Sequence, residues 1–221
     1  MSLKATSKDL PLIDVYWSFR SPYSYLATPD MMALRADYDV RVALRPVLPI
    51  AVRKPDFFDP AKAAWAKYIL LDWPRRAEFM EMPAHWPSPD PIVQNLTTMK
   101  IASDQPYIFR LSSYGVEAER RGLGVPFAKE VAHLLFGGTK DWDKGEHLAL
   151  AASRAGLDLG EMDAAIEGGD HLAELDANQA ALEAAGHWGV PCFVFEGEPF
   201  FGQDRVTLLR WRLDQRGIAK R

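Results

Sequence analysis

The sequence predicts an α/β fold with a large all-helical insertion between the second and third strands. Residues 12–19 (LIDVYWSF) and 40–47 (VRVALRPV) are rich in β-branched and aromatic residues and flank a helical stretch. Residues 55–185 lose strand-like alternation and repeat Ala, Leu, Glu, Lys and Arg at helical spacing. After Gly186 the strand signal returns in GVPCFVFEGEPFFG.

In order, the first strand (12–19) runs into a helix over 22–38, where Pro29 forces a kink or break because it has no N–H for the preceding turn. A second strand over 40–47 follows, and two strands joined through a helix are most economically parallel, with a right-handed crossover. The insertion reads as helices over 60–79, 92–114, 115–136, 144–155, 161–167 and 171–185, punctuated by Gly, Pro and Asp. Pro74, Pro106 and Pro126 are expected to interrupt or kink the longer ones. The runs 192–195 and 199–201 flank a Glu-Gly-Glu turn and form a hairpin, and a helix over 204–213 is expected to pack through Val206, Leu208, Leu209, Trp211 and Leu213. This β-α-β, helical block, β-β-α order is that of the thioredoxin fold, with residues 10–54 and 186–221 making one domain and 55–185 the helical insertion.

Composition narrows the chemistry. The 221 residues are 48% hydrophobic and 25% charged, enough for a substantial core and against a largely disordered chain. A formal charge of -4 gives no reason to expect nucleic acid or an anionic membrane as partner, and the pairs Arg75-Arg76 and Arg120-Arg121 are expected on solvated helix faces. Cys192 is the only cysteine, which excludes an intrachain disulfide and two-cysteine redox chemistry. The five histidines show no metal-ligand spacing, so no metal site is expected. The first ten residues hold no apolar leader and no later stretch reaches membrane length, so a cytoplasmic protein is expected.

The chemistry centres on Ser21-Pro22-Tyr23-Ser24, between the first strand and its helix. Ser21 suits an N-cap and Pro22 the first helical position, where its missing N–H costs nothing, so on its own this is ordinary capping. Two further features change its meaning: the redox turn of thioredoxin-like folds occupies this place, and Val190-Pro191 stands just before a strand, where such folds hold a cis-proline facing that turn.

SFRSPYSYLA together with WGVPCFVFEGEPFFGQDRV resembles the 2-hydroxychromene-2-carboxylate isomerases and kappa-class glutathione transferases, of the DsbA-like thioredoxin superfamily, and KYILLDWPRRAEF and AASRAGLD resemble their helical insertion. The resemblance implies a glutathione-dependent isomerase or transferase acting on a small aromatic electrophile, and a homodimer. It implies Ser21 as the catalytic residue, contacting the glutathione sulfur. Val190 and Pro191 would pair with the peptide backbone of the cofactor, and Gln203 and Asp204 would take its γ-glutamyl end. A thiol of pKa near 8.5 gains thiolate when a hydroxyl donates to it, and about 1.4 kcal/mol lowers the pKa by one unit. Ser18 stands where many members have aspartate, Cys192 where threonine is usual, no asparagine occurs in RKPDFFDPAKAAW, and Lys62 matches the family's lysine only loosely. Trp17, Tyr23, Tyr25, Trp65, Trp73, Trp86 and Trp188 could wall an apolar pocket above the sulfur; most are expected in the core, with Trp65 and Trp86 the expected pocket residues. A non-catalytic glutathione- or peptide-binding protein is the alternative, and a DsbA-like oxidoreductase is disfavoured for want of a second cysteine.

Overall fold

In the computed structural model, residues 10–54, 64–95, 97–98 and 100–221 are described. Four strands, β1 (Leu12–Trp17), β2 (Arg41–Pro46), β3 (Cys192–Phe195) and β4 (Glu198–Phe201), form one sheet in the order β2-β1-β3-β4. β1 and β2 are parallel, and β1–β3 and β3–β4 are antiparallel, as the sequence predicts. The interior strand β3 is buried at all four residues, which explains its unbroken apolar run CFVF. Alternation along β1 sends Ile13, Val15 and Trp17 into the larger core and Tyr16 to a second cluster with Val47, Leu182, Cys192 and Val194.

The first helical stretch is divided at Ala27 into α1 (Pro22–Leu26) and α2 (Thr28–Asp37), with Pro29 in the opening turn of the second. Between β2 and β3 lie α3 (Ile50–Arg53), α4 (Ala64–Phe79), α5 (Ile108–Arg120), α6 (Gly124–Phe136), α7 (His147–Arg154), α8 (Leu159–Ile166) and α9 (His171–Ala184); α10 (Val206–Gln215) follows β4 through a 3-10 turn, Gln203–Arg205. Aromatic packing ties α6 to the sheet and to α1: Trp17 meets Phe19 edge-on at 4.6 Å between ring centroids, Phe19 meets Phe127 of α6 at 6.0 Å, and Tyr25 stacks on Phe136 of α6 at 5.2 Å.

Several helical expectations are corrected, among them the packing face of α10, where Leu208 and Trp211 stand exposed and only Val206, Leu209 and Leu213 are buried. The described residues between 92 and 107 are not helical: the Gln105 amide exchanges hydrogen bonds with the Val93 backbone at 2.8 and 2.9 Å, and Asn95 accepts from the N–H groups of Thr97 and Thr98. Side chains here satisfy the backbone groups a helix would have used. The expected break between Tyr114 and Gly115 is absent, because α5 runs straight through Gly115. A Cβ there would lie 2.8 Å from Phe19 Cε2 and 2.9 Å from Pro46 Cγ, so the glycine serves close packing rather than a turn. Pro74 does not divide α4: the carbonyl it deprives of a partner belongs to Leu70, whose 58% exposure leaves that side of the helix to water. The expected start of this helix at residue 60, and Lys62, lie outside the described residues, as does the side chain of Trp65.

Candidate functional site

Register brings the separated motifs together. Tyr16 pairs with Cys192 and Cys192 with Phe201, so the C-terminal end of β1, the N-terminal end of β3 and the C-terminal end of β4 share one end of the sheet. Ser21 follows β1 by four residues, Val190 precedes β3 by two, and Gln203 follows β4 by two. Trp17 also pairs with Pro46, which places α3 and its Arg53 at the same end. A cleft of about 970 Å3 opens there, and Ser21, Val190, Pro191, Gln203 and Asp204 all line it.

Ser21 is the N-cap of α1, and its Oγ accepts from the Ser24 N–H at 3.1 Å. The same hydroxyl donates to the Val190 carbonyl at 3.5 Å, the outer limit of a hydrogen bond. The Val190-Pro191 peptide is cis, and the Pro191 carbonyl accepts from the Gly202 N–H at 2.9 Å, fastening the two strand ends to each other. Gly202 has a φ of 106°, where only glycine sits without strain, and the Asp204 Oδ1 lies 2.6 Å from where a Cβ would stand. Ser24 is buried and structural: its carbonyl accepts from Trp17 Nε1 at 2.9 Å and its hydroxyl from the Ser18 N–H at 3.4 Å. Ser18 lines the cleft with its Oγ buried and without a partner among the described residues.

The opposite wall comes from the helical insertion. Asp72 of α4 accepts from the Tyr23 hydroxyl at 2.7 Å and the Tyr68 hydroxyl at 3.1 Å. The Tyr23 bond holds the Asp72 carboxyl below its ordinary range, while burial and this same carboxylate push the Tyr23 phenol up. Arg20, directly before Ser21, makes a two-pronged bond to Asp90 at 2.8 and 2.9 Å and lies over the Trp86 ring, whose Nε1 also donates to Asp90. Arg53 donates from Nε to the Leu48 carbonyl at 2.6 Å and from Nη2 to the Trp188 carbonyl at 3.1 Å, and burial lowers its pKa to about 10. Tyr23, Tyr68, Ile69, Trp86, Trp188 and Phe201 supply apolar surface.

Trp86 lines the cleft and Trp17, Tyr25 and Trp73 are core residues, as expected, but Tyr23 and Trp188, not favoured for the pocket by the sequence, line the cleft too. The solvated-face expectation fails for Arg76, whose Nε donates to the Gln203 amide at 3.0 Å in the cleft, whereas Arg75 beside it is exposed. Arg120 and Arg121 are exposed, as expected, and form ion pairs that join α5 to α8 and α9. Arg20, Arg53, Asp72 and Asp90 carry no sequence signal of their own, since each is defined by partners distant in the chain. Cys192, which follows the cleft residue Pro191 without lining the cleft itself, is fully buried, and burial pushes its thiol up to about 12. No group of three or more metal-binding side chains occurs among the described residues, and no described helix is long and apolar enough to cross a membrane.

Several solved structures share this architecture. A 2-hydroxychromene-2-carboxylate isomerase aligns over 92% of this chain and 95% of its own, at 18% identity and a TM-score of 0.63. A probable DsbA oxidoreductase from Streptomyces coelicolor aligns over 93% and 89%, at 17% identity and 0.61. The cytosolic disulfide reductase DsbM from Pseudomonas aeruginosa, solved with GSH, aligns over 92% and 99%, at 15% identity and 0.57. At these identities the likeness is one of fold. No curated protein matches this chain in sequence. The family model for the DSBA-like thioredoxin domain matches residues 12–214, from the first strand into the last helix. With the sheet order, the Val190-Pro191 turn and the cleft between sheet and inserted helices all inside that span, the chain belongs to the DSBA-like thioredoxin domain family.

Proposed function

We propose that this protein is a glutathione-dependent isomerase or transferase acting on a small aromatic electrophile, with Ser21 holding the sulfur of bound glutathione. The observation that carries this reading is the Ser21 hydroxyl, which lies in the cleft on a 3.5 Å contact with the Val190 carbonyl. So long a bond is weak, and the O–H can turn to a stronger acceptor at little cost. A thiolate is such an acceptor, and a charge-assisted hydrogen bond contributes about 1.5 to 3 kcal/mol, enough to lower a thiol pKa by one to two units.

The residues present fit the cofactor. Ser21 is already fixed in place by the Ser24 N–H, so only its proton has to reorient. The backbone at Val190 borders the same space and would pair with an extended peptide, while Gln203 and Asp204 would meet its polar end. When bound, glutathione supplies a thiolate nucleophile for reversible addition to a conjugated carbonyl compound. Tyr23, Trp86 and Trp188 would flank the ring of such a substrate and exclude water from it. The names of two structural neighbours, an isomerase and a reductase solved with GSH, agree with this reading. Disulfide exchange by the protein itself is not favoured, because Cys192 is buried, unpaired and far from the thiolate form.

Calorimetric titration of glutathione into wild type and Ser21→Ala tests the proposal. Wild type is expected to bind, with Ser21→Ala weaker by about tenfold, the equivalent of roughly 1.4 kcal/mol. Absence of binding to both proteins would refute the cofactor assignment.

A further inference from the structure

One peptide group in the wall of the cleft is gripped at both ends. Trp188 and Gly189 line the cleft directly before Val190 and Pro191, and the peptide between them offers one N–H and one carbonyl. The Gly189 N–H donates to His187 Nδ1 at 2.9 Å, and the Trp188 carbonyl accepts from Arg53 Nη2 at 3.1 Å. Gly189 is buried, so its N–H relies on this acceptor rather than on water. An imidazole nitrogen accepts only when it carries no proton, so the hydrogen bond assigns His187 as neutral, with its proton on Nε2.

The ring is held in place for this contact. It stacks on Phe201 at 4.0 Å and on Trp188 at 5.5 Å between ring centroids. A Cβ on Gly189 would stand 2.6 Å from the Phe201 ring and 3.1 Å from His187, so glycine is what leaves room for the arrangement. The charged groups on the elements packed around the ring are engaged elsewhere. Glu183 of α9 faces Lys54 at 3.8 Å, Arg53 of α3 is taken by the Leu48 and Trp188 carbonyls, and Asp204 after β4 pairs with Arg205 at 3.0 Å. Burial keeps the His187 pKa below the ordinary imidazole value. Protonation would turn Nδ1 from acceptor into donor and set two N–H groups against each other. The stacked rings attract a cation, but they offer the Gly189 N–H no acceptor. To find one the peptide must rotate, and rotation carries the Trp188 carbonyl off Arg53.

We propose that His187 is a proton-operated catch: neutral, it fixes the Trp188–Gly189 peptide against Arg53 and so sets the cleft wall that leads to Val190; protonated, it releases that wall. The device belongs to the protein alone and is independent of which ligand the cleft takes. NMR of the full chain over a pH series from about 7.5 down to about 4.5 tests it. His187 is expected to titrate with a midpoint below about 6.5. Across that midpoint the Gly189 amide should lose at least about tenfold of its protection against hydrogen exchange, relative to an unfolded chain at the same pH, and the Trp188 and Val190 backbone signals should shift with it. His187→Asn places a carbonyl that does not titrate where Nδ1 stands, and should keep the protection constant throughout. His187→Phe keeps a stacked ring without an acceptor, and should lack the protection at every pH. Wild-type Gly189 protection that stays unchanged while His187 titrates, or an imidazole that stays neutral to the lowest pH, overturns the proposal whether or not the variants fold. A pH-dependent loss that persists in His187→Asn overturns it as well.

Discussion

Cys192 and Ser21 show how environment sets reactivity. The thiol has no exposed surface, and burial keeps it protonated near neutral pH despite a backbone hydrogen bond at Phe200. Native protein at pH 8 should therefore react with iodoacetamide at least about a hundredfold more slowly than the urea-unfolded chain. Rapid labelling of the native protein, followed by mass spectrometry, would contradict this burial. Ser21, Val190, Pro191, Gln203 and Asp204 were singled out through the family resemblance of the two motifs that carry them, and all five line the cleft. Arg20, Arg53 and Asp72 were not, because what defines them is a contact: Arg20 meets Asp90 seventy residues later, and Arg53 meets Trp188 across 135. Arg76 was misread for the same reason, since helical spacing cannot show that a basic residue faces an amide 127 positions away.

At the level of elements, the outer edge of β2 is closed by side chains instead of another strand. Glu119 of α5 accepts the Leu44 N–H at 2.9 Å, and Asn178 of α9 donates to the Pro46 carbonyl at 3.1 Å. Such caps satisfy edge groups that would otherwise be left unpaired or open to another chain. Burial raises the Glu119 pKa above its ordinary value, so its stabilising contribution is full below the unfolded carboxylate pKa and is lost as pH rises through the folded one. Glu119→Gln keeps an acceptor without the buried charge and should match or exceed wild-type stability at pH 7. Glu119→Ala leaves the Leu44 N–H unpaired and should cost about 1 to 3 kcal/mol in urea unfolding. Equal destabilisation by both would refute the role of the charge. Gly115→Ala should likewise cost about 1 to 3 kcal/mol, despite alanine's better helix propensity, because its methyl meets Phe19 and Pro46. The strands and most helices were legible from periodicity, but this glycine resembled a helix break in the sequence because only the sheet packed against it shows its purpose. The described residues between 92 and 107 differ for another reason: side-chain amides of Asn95 and Gln105 take over backbone bonding that the apolar spacing suggests would be helical.

For the whole molecule, the cleft depends on contacts between the sheet end and the inserted helices, chiefly Tyr23 with Asp72 and Arg20 with Asp90. The Asp72 carboxyl is held below its ordinary range by the Tyr23 hydroxyl, so its stabilising contribution is full above the unfolded carboxylate pKa of about 4 and is lost as pH falls through the lower folded value. Asp72→Asn should therefore lose less stability than wild type between about pH 7 and pH 3, measured as the fall in urea midpoint. An identical fall in both proteins would show that this contact does not link stability to pH. The overall order of strands and helices was legible in the sequence, whereas the assembled cleft was not, because its two walls come from segments that only the antiparallel register and the long insertion bring face to face. The central claim is that Ser21 holds a thiolate belonging to a bound ligand, in a turn where related folds carry their own. Its most direct test is the ultraviolet thiolate absorbance of saturating glutathione, followed against pH with wild type and with Ser21→Ala. The pKa of bound glutathione should be about one unit lower in wild type than in the variant, corresponding to roughly 1.4 kcal/mol. The same thiolate pKa in both proteins would contradict the claim.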